Sequence, residues 1–156
     1  MGQINTATFR TDASRPQAID QLRSFCRGEM SAVETYLQAI ETTKNEAILY
    51  QLRNNLRSHQ ERVQLLRRRI EALGGEVPDS SGPWGVFAKA VEGTASALGD
   101  KSALAVLEEG EDHGLADYRA DFSNLDVESQ ELIAQQILPQ QVETHNKLAS
   151  LKHYMT

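Results

Sequence analysis

The sequence predicts an all-α fold, an antiparallel four-helix bundle whose long crossover carries an additional short helix. Apolar residues recur at alternating spacings of three and four, which is the period of helices that bury one face. The ten glycines and four prolines cluster between these periodic stretches. With 156 residues, 40% apolar and 24% charged, the chain can bury one sizeable core. We therefore expect a single domain over residues 14–156.

The first two predicted helices form a tight pair. Residues 1–13 form a polar arm that we expect to be flexible. The following Ser-Arg-Pro-Gln forms a capping box that begins a helix over 14–42. A second box, Thr-Lys-Asn-Glu, opens the next helix almost at once, over 43–73, and the glycine pair 74–75 ends it. A connection this short forces the two helices to lie antiparallel.

The second half repeats this layout after a crossover. A loop over 76–82 leads into a short helix over 83–98, and a third long helix follows over 101–122. An aspartate caps a short helix over 126–138, and a proline suited to a first turn opens the fourth long helix, 139–154.

Composition and charge exclude several partners and compartments. The net charge of −6 argues against nucleic acid, which requires a concentrated basic face. No segment approaches the about 20 apolar residues of a membrane span, so we expect no membrane partner. The single cysteine, Cys26, cannot form an internal disulfide, which favours a reducing, cytoplasmic location. Amphipathic bundles often pair, so a homo-oligomer is compatible with this pattern.

One polar residue interrupts the apolar seam of each helix in the first pair. The seams are Ile19, Leu22, Cys26, Glu29, Val33, Tyr36 and Ile40 on the first helix, and Leu49, Leu52, Leu56, His59, Val63, Leu66, Ile70 and Leu73 on the second. Counted from Thr43, Glu29 lies 14 residues back and His59 lies 16 residues on. At about 1.5 Å rise per residue their heights differ by only about 3 Å, so they share one layer.

The second half of the chain contributes the same two residue types. Gly110-Glu111 and Tyr118 repeat the spacing of Gly28-Glu29 and Tyr36, and His145 occupies the position on the fourth helix that His59 occupies on the second. We therefore expect Glu29, His59, Glu111 and His145 to converge inside the bundle. A lone buried carboxylate costs several kcal/mol, so it requires a partner or a metal ion. Two glutamates and two histidines in a bundle core have the composition of a metal site.

These motifs resemble those of a known family. The segment Gly-Glu-Met-Ser-Ala-Val-Glu-Thr-Tyr, residues 28–36, resembles the first-helix motif of the ferritin-like superfamily, which includes bacterioferritin and rubrerythrin and in which a metal-ligating Glu precedes a Tyr by seven residues. Glu111 and Tyr118 resemble the matching third-helix motif, and His59 and His145 fall where the family places its Glu-x-x-His histidines. More closely, the chain is similar to small bacterial ferritin-like proteins of unassigned function with an additional crossover helix.

The resemblance implies a reduced metal site. Three residues before each histidine the di-iron members carry a bridging Glu, and this chain carries Leu56 and Val142 instead. The four remaining ligands would suffice for one cation that accepts imidazole and carboxylate, so the expected cofactor is one or two divalent ions, Fe or Zn. Tyr36 and Tyr118 would orient the ligands, and the role would be metal handling or a stress-related function.

In the alternative hypothesis, the site binds no metal. The glutamates, histidines and tyrosines would then form a buried hydrogen-bonded network, with each tyrosine hydroxyl reaching the carboxylate on the opposite helix pair. The protein would be a structural or interaction bundle that lost the di-iron site. No nucleophile–histidine pair, phosphate loop or cysteine-based zinc site is present in the sequence. The sequence therefore leaves open whether the protein is an enzyme, and a weak oxidase activity would require the metal site.

Overall fold

The regular structure of the described residues is entirely helical, as predicted. A computed structural model describes residues 14–95, 100–120 and 122–154, so the predicted arm, 1–13, lies outside the described residues. The elements are α1 (Ser14–Thr42), α2 (Glu46–Ala72), a 3-10 turn (Gly82–Gly85), α3 (Val86–Ala95), α4 (Asp100–Arg119), α5 (Val127–Leu132), a π-helical turn (Ile133–Ile137) and α6 (Leu138–Tyr154). None of the helices in these ranges is both long and apolar enough to span a bilayer.

The connection between α1 and α2 is short, but its cap differs from the predicted one. The Asn45 side chain accepts hydrogen bonds from the backbone N–H groups of Ala47, at 3.0 Å, and Ile48, at 3.2 Å. The Thr43 hydroxyl instead donates to the carbonyl oxygen of Ala39 at the end of α1. The predicted capping box at Thr43 is therefore wrong, because asparagine next to the first turn is an equally strong cap.

The glycine pair ends α2 as the sequence predicts. Gly74 has a φ of 81°, a left-handed conformation that glycine adopts without strain. The N–H of Gly75 then donates to the carbonyl of Ile70, and that of Gly74 donates to Glu71, which together form a Schellman motif. The chain can turn closely against α1 here because Gly75 has no side chain. A Cβ built on Gly75 would lie 2.6 Å from the Ile19 side chain.

Helices α5 and α6 form one continuous helix, so the predicted break near Leu138 is wrong. Asp126 caps α5 as predicted, accepting from the N–H of Ser129, and Arg69 of α2 holds this cap through a 2.6 Å ion pair. The N–H of Leu138 donates to the carbonyl of Ile133, five residues back, as in a π-helix. Pro139 lacks an N–H and would clash with a carbonyl in a regular helix, and the wider turn accommodates it.

The described helices pack against one another and share a buried core. Helix α1 packs against α2 and α4, α6 packs against the same two helices, and α3 lies against α1 and α4. One apolar cluster contains Leu22, Phe25, Leu66, Ile70, Ile133 and Ile137, and a second contains Tyr36, Leu52, Leu104, Leu107 and Leu148. Along α1 and α2, Glu29 and His59 fall between these clusters, so the polar layer lies inside the core.

Two glycine substitutions test this packing. We expect Gly75→Ala to lower the free energy of unfolding by about 1–3 kcal/mol, because its new methyl group would overlap Ile19. Gly28→Ala is the matched control: a Cβ there meets nothing within 4 Å, so alanine should stabilise α1 by about 0.5–1 kcal/mol. Urea denaturation measures both values, and equal effects of the two substitutions would contradict the packing described.

Candidate functional site

His59 lies between two glutamates at the centre of the bundle. Its Nδ1 is 2.6 Å from Oε2 of Glu29 on α1, and its Nε2 is 2.7 Å from Oε1 of Glu111 on α4. All three residues are at most 3% exposed. As expected from the helix spacing, the three side chains meet at one height, and His59 thereby joins α2 to its neighbour α1 and, across the interior, to α4.

With both carboxylates ionised, this geometry requires a protonated imidazole. A neutral ring carries only one N–H. Its other nitrogen would then place a lone pair against a lone pair of the carboxylate oxygen, which is repulsive. Burial of the ring and the nearby Arg62 guanidinium lower the pKa of His59, but the carboxylates of Glu111 and Glu29 outweigh them and raise it. His59 is therefore an imidazolium that donates a hydrogen bond from each ring nitrogen.

The two carboxylates are ionised for the complementary reason. Burial raises the pKa of Glu29, but the charges of Arg62 and His59 outweigh it, so the net pKa is lowered. For Glu111, burial is again opposed by the charge and hydrogen bond of His59, and the pKa is lowered. Burial without these cations would leave both groups protonated, and the ion pairs would be lost.

The two tyrosines connect the halves of the bundle crosswise. Tyr118 donates to Oε1 of Glu29 at 2.6 Å, and Tyr36 donates to Oε1 of Glu111 at 2.7 Å. Each tyrosine follows the glutamate of its own helix by seven residues and binds the glutamate of the other helix. The predicted contact with the opposite helix pair is confirmed. Burial and then the adjacent carboxylate raise the pKa of both phenols well above its ordinary value, so both are neutral donors.

A buried arginine, which the sequence analysis did not include, supplies the second positive charge. Arg62 is fully buried, and its Nη1 is 3.3 Å from Oε1 of Glu29. Its guanidinium also donates to the side-chain oxygens of Gln141 and Thr144 on α6. Two carboxylates therefore face two cations, and the charges of this layer balance.

Polar side chains of α2 and α6 complete the arrangement. Gln141 Nε2 and the Thr144 hydroxyl bind Oε2 of Glu111 at 2.8 and 3.0 Å, so this carboxylate accepts four hydrogen bonds. Asn55 donates to the Tyr36 hydroxyl and to the carbonyl of Thr144. We call the whole set the central network: Glu29, Tyr36, Asn55, His59, Arg62, Glu111, Tyr118, Gln141 and Thr144.

His145 does not join the central network, and its predicted inward position is wrong. Its Nε2 lies 2.6 Å from Oδ1 of Asp112, a partly exposed pair on the bundle surface. The buried face of α6 carries Gln141, Thr144 and Leu148, one residue out of phase with the predicted face. The buried residues Ser129, Ile133, Ile137 and Gln141 recur every fourth residue, because the π-helical turn accommodates more residues per turn than an α-helix.

A periodic signal for the missed residues is present in α2. Asn55, His59, Arg62 and Leu66 are spaced by four, three and four residues, the same alternation as the apolar seam. Asparagine and arginine are rarely buried, so this spacing alone does not identify Asn55 and Arg62 as interior residues. Once one buried imidazole is inferred, polar neighbours at seam spacing become candidates for the groups that satisfy it.

The central network does not fit a metal ion. Within residues 14–95, 100–120 and 122–154, no group of three or more His, Cys, Asp or Glu side chains is arranged to hold one. The two carboxylates bind opposite nitrogens of the His59 ring instead of converging on one point. The positions of the family's bridging glutamates hold Leu56 and Val142, and neither can supply an oxygen.

Comparison with known proteins identifies one family. The profile of a domain of unknown function, DUF2383, matches residues 17–122. This range contains all of α2 and α3 and includes Glu29, His59, Arg62 and Glu111. No curated protein and no solved structure matches the chain.

The two histidines provide a matched pair of substitutions. We expect His59→Ala to lower the free energy of unfolding by about 3–5 kcal/mol, because it leaves two buried carboxylates without their shared donor. His145→Ala removes only a partly exposed ion pair and should cost about 0.2–1 kcal/mol. Urea denaturation at neutral pH measures both. Similar losses from the two variants would contradict the placement of His59 at the centre.

Stability should depend on pH in two directions. The raised pKa of His59 means that its contribution is complete below the ordinary value of about 6.5 and is lost as the pH rises through the raised value. The lowered pKa values of Glu29 and Glu111 mean that their contribution is complete above about 4.5 and is lost as the pH falls through the lowered values. Denaturation curves across the pH range should show a plateau between these limits, and stability that increased through the alkaline limb would contradict it.

Proposed function

The chain belongs to the DUF2383 family, and we propose that it is a four-helix bundle of ferritin-like build that lost the metal centre and acts as a structural or interaction module. One observation carries the proposal: both ring nitrogens of His59 are bound by carboxylates at the position where a metal ion would require free donor atoms. The positive charges of His59 and Arg62 compensate the glutamates as a metal ion would.

The ferritin-like build is supported by layout and motif. Two helix pairs, α1 with α2 and α4 with α6, pack together, and the crossover between them carries α3. Glu29 with Tyr36 and Glu111 with Tyr118 occupy equivalent places on α1 and α4, and they bind each other crosswise. A duplicated helix pair with inward glutamates is the arrangement of that superfamily.

The loss of the metal is supported by charge. Glu29 and Glu111 carry two negative charges, and His59 and Arg62 compensate them within hydrogen-bonding distance. A divalent ion added to this layer would leave an excess positive charge in a low-dielectric interior, at a cost of several kcal/mol. Since His145 lies on the surface, the site also lacks the second imidazole that would help to bind such an ion.

The central network gives the bundle a defined helix register. Its members come from α1, α2, α4 and α6, so sliding any helix by one residue would separate a buried donor from its acceptor. Apolar layers alone tolerate such shifts more easily than a fully satisfied polar layer. A single rigid arrangement of four helices suits a module whose role is to present a constant surface.

Metal analysis tests the proposal. Protein purified without chelator should contain far less than one equivalent of Fe or Zn, and its melting temperature should not respond to Zn²⁺, Fe²⁺ or chelator. A ligand that bound only the folded state at 100 times its Kd would add about 2.7 kcal/mol of stability, a shift of several degrees. One equivalent of metal that is lost in Glu29→Gln and retained in the surface control Asp112→Asn would overturn the proposal.

A further inference from the structure

A cavity of about 50 Å³ opens between α1 and α4 beside the crossover. One water molecule requires roughly 10–15 Å³ of cavity volume. The cavity therefore has room for about three to five non-hydrogen atoms, each counted as one water. Its inner end is lined by Glu29, Glu111 and His59, and Trp84, Phe87 and Asp117 line it further out. The helical scaffold thus contains a preformed cavity that its structural role does not require.

We propose that this cavity binds a short alkylammonium ion of three to five non-hydrogen atoms. The proposal goes beyond the scaffold function, because a metal-free bundle could exist with or without such a ligand. The charges of Glu29 and Glu111 are already balanced by His59 and Arg62, so the charge that favours a monovalent cation is that of Asp117. The remaining hydrogen-bonding capacity of Glu29 Oε2 and the aromatic lining add to this preference over an anion.

Two acidic groups of the cavity, Glu29 and Asp117, are not fully engaged by the chain's own donors, although donors such as Gln141 also line it. Within the described residues, Glu29 Oε2 accepts one hydrogen bond, from His59. Each oxygen of Glu111 accepts two hydrogen bonds. A carboxylate oxygen accepts two, so Glu29 can bind one further donor. Asp117 has no lysine or arginine ion-pair partner in the described ranges, and burial raises the pKa of its carboxyl although His113 lowers it. No lysine or arginine lines the cavity, and the His59 cation that does line it is already bound by both glutamates.

The aromatic walls suit a cation with an apolar body. Phe25, Tyr36, Tyr118, Trp84 and Phe87 all line the cavity, and ring faces attract ammonium groups that lose part of their hydration. Leu107 adds aliphatic surface that can contact a short alkyl chain. The combination of acidic acceptors and aromatic rings is the chemistry by which proteins recognise ammonium ligands.

The structure keeps this space open. The Ser31 hydroxyl of α1 donates to the carbonyl of Trp84, and the Ser81 hydroxyl donates to Glu34, so the entry to α3 is held at a fixed place over α1. Gly28 lines the cavity, and a Cβ there would meet nothing within 4 Å. The vacant volume is therefore accessible to a side chain introduced at this position, which provides a way to fill the cavity.

Intrinsic fluorescence can measure binding directly, because Trp84 is the only tryptophan. Titration with n-propylammonium chloride should give a saturable change in its emission, with a Kd on the order of 1 mM for a ligand of four non-hydrogen atoms. Sodium chloride at equal ionic strength and 1-propanol at equal concentration are the controls, and neither should give saturation. Absence of saturation with propylammonium, or equal saturation with 1-propanol, would overturn the proposal.

Three variants locate the site. Asp117→Asn should weaken propylammonium binding about threefold to fivefold, whereas Asp112→Asn makes the same charge change on an α4 residue outside the cavity lining and should leave the Kd unchanged. Gly28→Leu should fill the cavity and abolish saturation while circular dichroism confirms the helical fold. Equal effects of the two aspartate substitutions would overturn the proposal even if Gly28→Leu did not fold. The metal analysis above is independent of these titrations, so either proposal can fail alone.

Discussion

The structure depends on one buried interaction, the imidazolium of His59 held between the carboxylates of Glu29 and Glu111. Each carboxylate would cost several kcal/mol if it were ionised alone in the interior, and the shared cation offsets both penalties at once. Arg62 supplies the second positive charge on the side of Glu29. Since these groups come from α1, α2 and α4, the charge balance can be satisfied in only one relative placement of the three helices.

The remaining polar contacts follow from this charge arrangement. The crosswise tyrosines add one donor to each carboxylate, and Gln141 and Thr144 complete the set around Glu111. The two α6 residues face inward after the π-helical turn at Ile133–Ile137, which Pro139 favours because it has no N–H. A local backbone irregularity thus determines which side chains of α6 reach the interior, and His145 is left at the surface with Asp112.

Much of this could be predicted from the sequence, and the failures have identifiable causes. Periodicity and glycine placement predicted the all-helical fold, the end of α2 and the meeting of Glu29, His59 and Glu111, because these depend on local spacing. The equivalence of His145 with His59 failed, since a repeat in sequence does not reveal a π-turn that changes the phase of one helix. Arg62 was missed because burial of an arginine is rare and is decided by partners on other helices.

The most direct test of the central claim is the protonation state of His59, observed by ¹H–¹⁵N NMR of the histidine side chains. At about pH 6.5, where an ordinary histidine is half protonated, most His59 rings should carry protons on both Nδ1 and Nε2, each in a hydrogen bond to a carboxylate. The exchange of both protons with solvent should be slow, because the ring is buried. An unprotonated nitrogen in His59 at that pH would contradict the account.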